Sequence, residues 1–223
     1  MVCRMKTSCA AFTLIELLVV VAIIGALAVA IVPGVRGVSD SYSLTAAADQ
    51  VISTINLARQ TAIARNRPVE VRIYELRSLS QGAKKSYRLV GAVIPEPSDA
   101  SRDEWVDRPR PLPNGIIFDD GSNNDEFSTL ITSAGSGNND IPGKVNGVAS
   151  GVPDVVREAD YIKFSIRSDG STDLNPSGAA GNDPWTLSLR VERDTSGDST
   201  RPSNNFITLM LDPTIGRLKV FRP

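Results

Sequence analysis

The sequence has no histidine, and its two cysteines, Cys3 and Cys9, both precede the first long apolar run of the 223-residue chain. The missing imidazole excludes most general-base catalysis, the usual activation of serine and cysteine nucleophiles, and most zinc sites. Cysteines confined to one end allow neither a disulfide framework nor a thiolate metal cluster in the remainder. The phosphate-cradling pattern Gly-x-x-x-x-Gly-Lys-[Ser/Thr] is absent too, which excludes an ATPase of that type. An excess of one charge is also lacking: 24 Lys and Arg stand against 25 Asp and Glu, for a formal net charge of −1. Bulk composition therefore calls for no nucleic-acid partner. Carboxylate pairs such as Asp119/Asp120 exist, but nothing in the pattern sets two of them across a cleft. The expectation is a non-enzyme without a cofactor, one domain long or one domain with an appended element.

What the chain does have is the run AAFTLIELLVVVAIIGALAVAIVP (Ala10–Pro33), with a single acid, Glu16, near its start. No charge occurs from Leu17 to Val32, and with Phe12, Leu14 and Ile15 the run reaches about 20 residues, enough to span a bilayer as a helix. Arg4 and Lys6 precede it, so the positive-inside tendency places the N-terminus in the cytoplasm and everything after Pro33 outside. A cleavable secretory signal is one reading, supported by Ala26-Leu27-Ala28 and Ala28-Val29-Ala30 and opposed by Glu16 within the apolar region. A plain membrane anchor is a second. A lipoprotein signal is excluded, because Cys9 precedes the run instead of following it.

The third reading is more specific. Phe12-Thr13-Leu14-Ile15-Glu16-Leu17-Leu18-Val19-Val20 resembles the N-terminal signature of type IV prepilins and type II secretion pseudopilins. In that family prepilin peptidase cuts a short basic leader just before the phenylalanine, whose new amine is N-methylated. The resemblance implies cleavage between Ala11 and Phe12 and methylation of Phe12. It also implies subunit-assembly roles for Phe12, Glu16, Gly25 and Pro33, which match the family's residues in type and spacing. Ala11 departs from the family's glycine and implies less efficient cleavage. Physical chemistry agrees with the resemblance, since a carboxylate within a membrane needs a partner. Among parallel helices, the Phe12 amine of one subunit can reach Glu16 of its neighbour, and the two charges offset each other's desolvation. Gly25 and Pro33 weaken the helix locally. Loss of the leader leaves 22 basic against 25 acidic residues, a net charge of −3, and no cysteine.

Beyond the run, Pro33, Gly34 and Gly37 mark a weak point, and Ser39 or Asp40 is a candidate cap for a new helical stretch. Leu44, Ala48, Val51, Ile55, Ala58 and Ala62 recur at helical spacing and predict an amphipathic helix ending near Asn66, ahead of Pro68. Phe12 to Asn66 would form one long, bent helix of about 80 Å. From Val69 the period becomes two, which predicts strands over 69–76, 86–94, 115–118, 161–167, 185–193, 205–212 and 217–221, with turn chemistry in DPTIG (Asp212–Gly216). The stretches 95–113 and 119–153 read as mobile or variable surface loops. The expected fold is α+β and pilin-like: a long N-terminal helix, membrane half plus amphipathic half, packed on an antiparallel β-sheet. Its divisions are a leader over 1–11, a transmembrane and filament-core helix over 12–38, an amphipathic helix over 39–66 and a β-rich globular domain over 67–223.

Three later stretches extend the resemblance. ARQTAIARNRPVEVRI (Ala58–Ile73), IKFSIRSDGSTD (Ile162–Asp173) and FITLMLDPTIGRLKV (Phe206–Val220) are similar to motifs of the H-type pseudopilins and the related FimT-like minor pilins. The chain also resembles the D-type prepilin-like proteins of verrucomicrobial gene cassettes. These resemblances imply a minor subunit of a type II secretion pseudopilus or a type IV pilus. They imply a single pass through the bacterial inner membrane, a periplasmic globular domain, and prepilin peptidase and other pilins or pseudopilins as partners. Some FimT-like minor pilins bind DNA for uptake through a Gly-Arg-x-basic hairpin, and Gly216-Arg217-Leu218-Lys219 fits that form. In this alternative Arg217, Lys219 and Arg222 contact nucleic acid; a charged, solvated strand edge is the plainer reading. Finally, Asp119, Asp120, Asp125 and Glu126 in FDDGSNNDEF are a weak calcium candidate whose spacing is not that of an EF-hand, and a solvated acidic turn accounts for them more simply.

Overall fold

The structure, a computed structural model, describes residues 13–77, 85–96, 103–107, 109–120, 128–134, 143–145, 159–179, 183–192 and 205–222, with the backbone alone at 28–38, 77 and 143–145. Two compact units divide the chain, Met1–Asp40 and Ser41–Pro223. One helix, α1 (Leu14–Arg65), contributes to both.

In the first unit α1 begins at the start of the apolar run, and every described side chain from Thr13 to Leu27 is exposed. Leu14 is 84% exposed and even Val20, the most covered large apolar residue of this stretch, is 45% exposed. A bare apolar helix of this kind is stable only where lipid or other protein covers it. Among the described residues no helix is long and apolar enough to cross a membrane. The described side chains Leu14–Leu27 supply roughly 21 Å of apolar helix, short of the ~30 Å hydrocarbon core. The span expected over 12–38 also takes in Phe12 and the side chains of 28–38, which lie outside the described residues. The helix does not restart at Ser39 or Asp40, as the weak point suggested; helical backbone continues through both. A proline within a helix removes one hydrogen bond and crowds the carbonyl four residues before it, so it weakens the helix even where the helix continues.

In the second unit α1 becomes amphipathic. Leu44, Ala47, Ala48, Val51, Ile55, Ala58 and Ala62 are buried at three- and four-residue spacing, while Tyr42, Asp49, Ser53 and Gln60 face out. The helix stops at a Schellman-type cap. Asn66 takes the left-handed conformation (φ 50°), its N–H donates to the Ile63 carbonyl at 3.4 Å, and the Arg67 N–H donates to that of Ala62 at 3.2 Å. Pro68 follows, where no further helical hydrogen bond is needed.

The strands then alternate as their period-two pattern predicts. They are β1 (Val69–Arg77), β2 (Lys85–Ile94), β3 (Glu104–Trp105), β4 (Arg110–Pro111), β5 (Ile116–Phe118), β6 (Gly143–Val145), β7 (Tyr161–Ile166), β8 (Trp185–Val191), β9 (Phe206–Asp212) and β10 (Arg217–Phe221), with a short helix α2 (Thr129–Thr132) after β5. They form two antiparallel sheets where one was expected. The first has the order β3-β2-β1-β7-β6, with β4 also on β2, and the second β10-β9-β8-β5. Alternation assigns a residue to a face but not a strand to a sheet, which is why the division was not foreseen. Val69, Val71 and Ile73 of β1, Ile162, Phe164 and Ile166 of β7, and Leu187, Leu189, Leu209 and Leu211 of the second sheet meet the buried stripe of α1 in one core. Each such side chain contributes about 1.5–3 kcal/mol when fully buried. The fold is α+β, a long N-terminal helix packed with antiparallel sheets.

The stretch 95–113 departs from the expected loop. Its described part contains β3 and β4, both paired to β2. Trp105 lies across Gly91 so closely that a Cβ there would be 2.6 Å from the Trp105 ring.

Candidate assembly and binding sites

The first turn of α1 shows how Glu16 is held in a single chain. The Glu16 N–H donates to Thr13 Oγ1 at 3.3 Å, and the Thr13 N–H donates to Glu16 Oε2 at 3.5 Å. This is the reciprocal pairing of a capping box, with the carboxylate at the positive end of the helix dipole. Thr13-x-x-Glu16 carries that signature in the sequence, although the resemblance had drawn attention to Glu16 alone. Gly25 lies within the helix with open space around it, nothing standing within 4 Å of an added Cβ. Pro33 falls within the bounds of α1, but its side chain, together with Ala11 and Phe12, is outside the described residues.

A second constellation joins the three later motifs. Arg59, on α1, donates from Nε to the Ile215 carbonyl at 2.9 Å and to the Gly170 carbonyl at 3.3 Å. Gly170 (φ 85°) and Gly216 (φ 62°) take a backbone conformation that favours glycine. A Cβ on Gly216 would also meet the Gly170 carbonyl oxygen at 2.4 Å. Each turn is fixed from within: Asp169 Oδ1 accepts the Ser171 N–H at 2.8 Å, and Asp212 Oδ1 accepts that of Thr214 at 3.0 Å. The Asp169 carboxyl is held below its ordinary value by its Ser171 hydrogen bonds.

The outward face of β1 buries charge. Arg72 reaches Glu70 Oε2 at 2.6 Å and Asp103 Oδ2 at 2.7 Å, and Lys163 reaches Glu70 Oε1 at 2.7 Å. The guanidinium lies 5.1 Å from the centroid of the Tyr161 ring, which packs on Tyr74 at 5.1 Å. Burial alone would lower the Arg72 pKa, but the charge and hydrogen bond of Glu70, with smaller contributions from Tyr161 and Asp103, turn the net shift upward. Two cations and two carboxylates balance, which is the condition for burying them. Tyr74 is fully buried and its hydroxyl has no hydrogen-bond partner among the described residues; burial pushes its pKa up.

Of the four calcium-candidate carboxylates, Asp119 and Asp120 face Arg190 of β8, at 3.1 and 3.6 Å, while Asp125 and Glu126 lie outside the described residues. Among the described residues no group of three or more potential ligands could hold a metal ion. Of the three nucleic-acid candidates, Arg217 and Lys219 are exposed on one face of β10. Arg222 donates instead to Thr45 Oγ1 on α1 at 3.2 Å.

Comparison with known proteins places this geometry. The prokaryotic N-terminal methylation motif matches residues 6–32, and the type II transport protein GspH family matches residues 47–202, well over half of the chain. The chain belongs to the GspH family. With the methylation motif, it is a minor pseudopilin or pilin subunit. No match is found among the curated proteins. A crystal structure of the type IV minor pilin FimU of Pseudomonas aeruginosa (strain PAO1) is similar with 11% identity and a TM-score of 0.39, over 81% of this chain and 92% of that one. That likeness is too distant to add to the family match.

The GspH match takes in Arg59, Arg72 and Gly170 and ends before β9 and β10. The family is one of structural pilin-like subunits, and membership implies processing at the N-terminal motif and assembly with other subunits. The motif itself suggests a membrane-anchored N-terminus. Within this GspH chain, sequence reasoning missed Arg59 and the Arg72 network. Glu70 and Arg72 stand two apart on β1, a spacing that by itself reads as a solvated outer face. Their burial depends on Asp103, which is 31 residues from Arg72 in sequence.

Proposed function

We propose that residues 1–11 are a leader, that prepilin peptidase cuts between Ala11 and Phe12, and that the new Phe12 amine is methylated. Residues 12–38 then hold the subunit in the inner membrane, N-terminus in the cytoplasm, with 39–66 and the β-rich domain 67–223 in the periplasm. From there the subunit enters a type II secretion pseudopilus or a type IV pilus as a minor component. The observation that carries this reading is Glu16. It is the only charged residue in Leu14–Leu27, it sits in the first helical turn a few residues from Phe12, and it is exposed. Its capping contacts with Thr13 are long, so a neighbouring subunit's amine can compete for the carboxylate. Gly25 and Pro33 supply local weakness where the helix leaves lipid for the filament.

The mass of the mature N-terminus tests the processing step. Ala11→Asp should abolish cleavage while Ala28→Asp leaves it intact; the opposite pattern is that of an ordinary secretory signal and overturns the reading. Filaments formed by Glu16→Ala as efficiently as by the wild type would refute the pairing of Glu16 with Phe12.

A further inference from the structure

The second sheet treats its two edges differently. On β8, beyond the end of β5, side-chain hydroxyls stand in for a partner strand: the Ser188 N–H donates to Ser128 Oγ and the Thr186 N–H to Thr129 Oγ1, each at 2.9 Å. At the other edge, β10 pairs with β9 in regular register from Arg217 to Phe221, and among the described residues no strand takes its second side. Edge strands are commonly blunted by charged side chains, proline, bulges or a covering segment, and of these β10 carries the charges, Arg217 and Lys219. β10 has neither proline nor register shift, and Val220 and Phe221 are 52% and 51% exposed. Its charge is of one sign. Arg217 and Lys219 share the outward face, and their cross-strand neighbours are Asp212, whose Oδ1 is taken by its own turn, and Met210. Lys219 also borders a cavity of about 370 Å³ whose lining includes Met210, Trp185, Pro184, Pro213 and one acid, Asp212.

An open backbone edge, apolar side chains and two exposed cations, of which only Arg217 has an acid across the strand, together describe a strand-addition site. We propose that β10 docks an extended segment of a partner protein whose residues alternate between acidic and apolar. Its backbone pairs with the free edge, and its carboxylates meet Arg217 and Lys219, the cavity giving room to the side chain that reaches Lys219. Its apolar residues cover Val220 and Leu218. Nucleic acid would use the two cations and leave the edge and the apolar side chains without a role, whereas a peptide strand uses all three. The inference does not depend on filament assembly, so its failure leaves the reading above untouched.

The test uses the full-length chain in a non-ionic detergent and a short acetylated, fluorescent peptide alternating glutamate and valine, followed by anisotropy. The peptide should bind, and binding should weaken by about tenfold or more with Arg217→Glu plus Lys219→Glu, both surface positions. N-methylation of alternate backbone nitrogens should weaken it comparably, with the protein unaltered. Replacing glutamate by lysine in the peptide should abolish it. No binding of the glutamate peptide, equal binding after N-methylation, or equal binding by the double variant would each overturn the proposal. So would an oligonucleotide duplex that binds more tightly than the peptide through the same two cations.

Discussion

The two ends of α1 obey opposite rules. From Leu14 to Leu27 every described side chain is exposed, though nearly all are apolar. From Leu44 to Ala62 one stripe is buried and the opposite face carries polar side chains such as Asp49, Ser53 and Gln60. The second stretch is satisfied within its own unit, whereas among the described residues nothing covers the first. Shape complementarity therefore constrains the second stretch residue by residue. The first is constrained mainly in length and apolarity, except at Glu16.

The sharpest test of that contrast is a charge removed from the globular unit. Arg72→Met leaves Asp103 buried without the cation it faces and Glu70 with Lys163 alone, and should destabilise this unit by about 3–5 kcal/mol. Chemical denaturation in detergent, read by near-ultraviolet dichroism, checks it. A loss well under 1 kcal/mol would mean that solvent reaches the network. Matched truncations come next. Ile55→Ala should lower stability by about 2–5 kcal/mol, and Ile24→Ala should leave the same transition unchanged. A measurable effect of Ile24→Ala on that transition would break the comparison.

The smallest effect is alkaline. Burial first, then the charges of Glu75, Asp120 and Asp160, push the Tyr87 hydroxyl up to about 12 from an ordinary 10.0. The unfolded chain releases this proton near pH 10 and the folded chain holds it until near pH 12. Stability is thus full below the lower value and falls as pH rises toward the upper, by at most about 1.4 kcal/mol per pH unit. Denaturation midpoints near pH 9 and near pH 11 should differ in that direction. Tyr87→Phe should flatten the part of the slope due to this residue. The stretch Leu14–Leu27 has no tyrosine, so its helicity should not change over this range.

Much of this architecture was legible in the residues. The stripe Leu44–Ala62 and the long strands announce themselves by period, and Pro68 marks the end of α1. What period cannot carry is partnership over distance. Proline and charge in 95–113 read as a loop, yet Asp103 and Trp105 are drawn onto the first sheet by Arg72, Gly91 and Tyr74. α2 and β6 are too short to show a period at all. At the N-terminus the resemblance pointed to Glu16, and the capping box with Thr13 was readable from spacing alone. Arg59 carries no signal of its own in the sequence, because the carbonyls it serves are more than a hundred residues away.

Arg59 also has a mechanical meaning. The turn around Gly170 follows β7 of the first sheet, and the turn around Ile215 joins β9 to β10 of the second. One guanidinium therefore ties α1 to both sheets at a single point. A pull along α1 would thus reach both sheets through the one shared Nε–H of Arg59, in addition to the core they share.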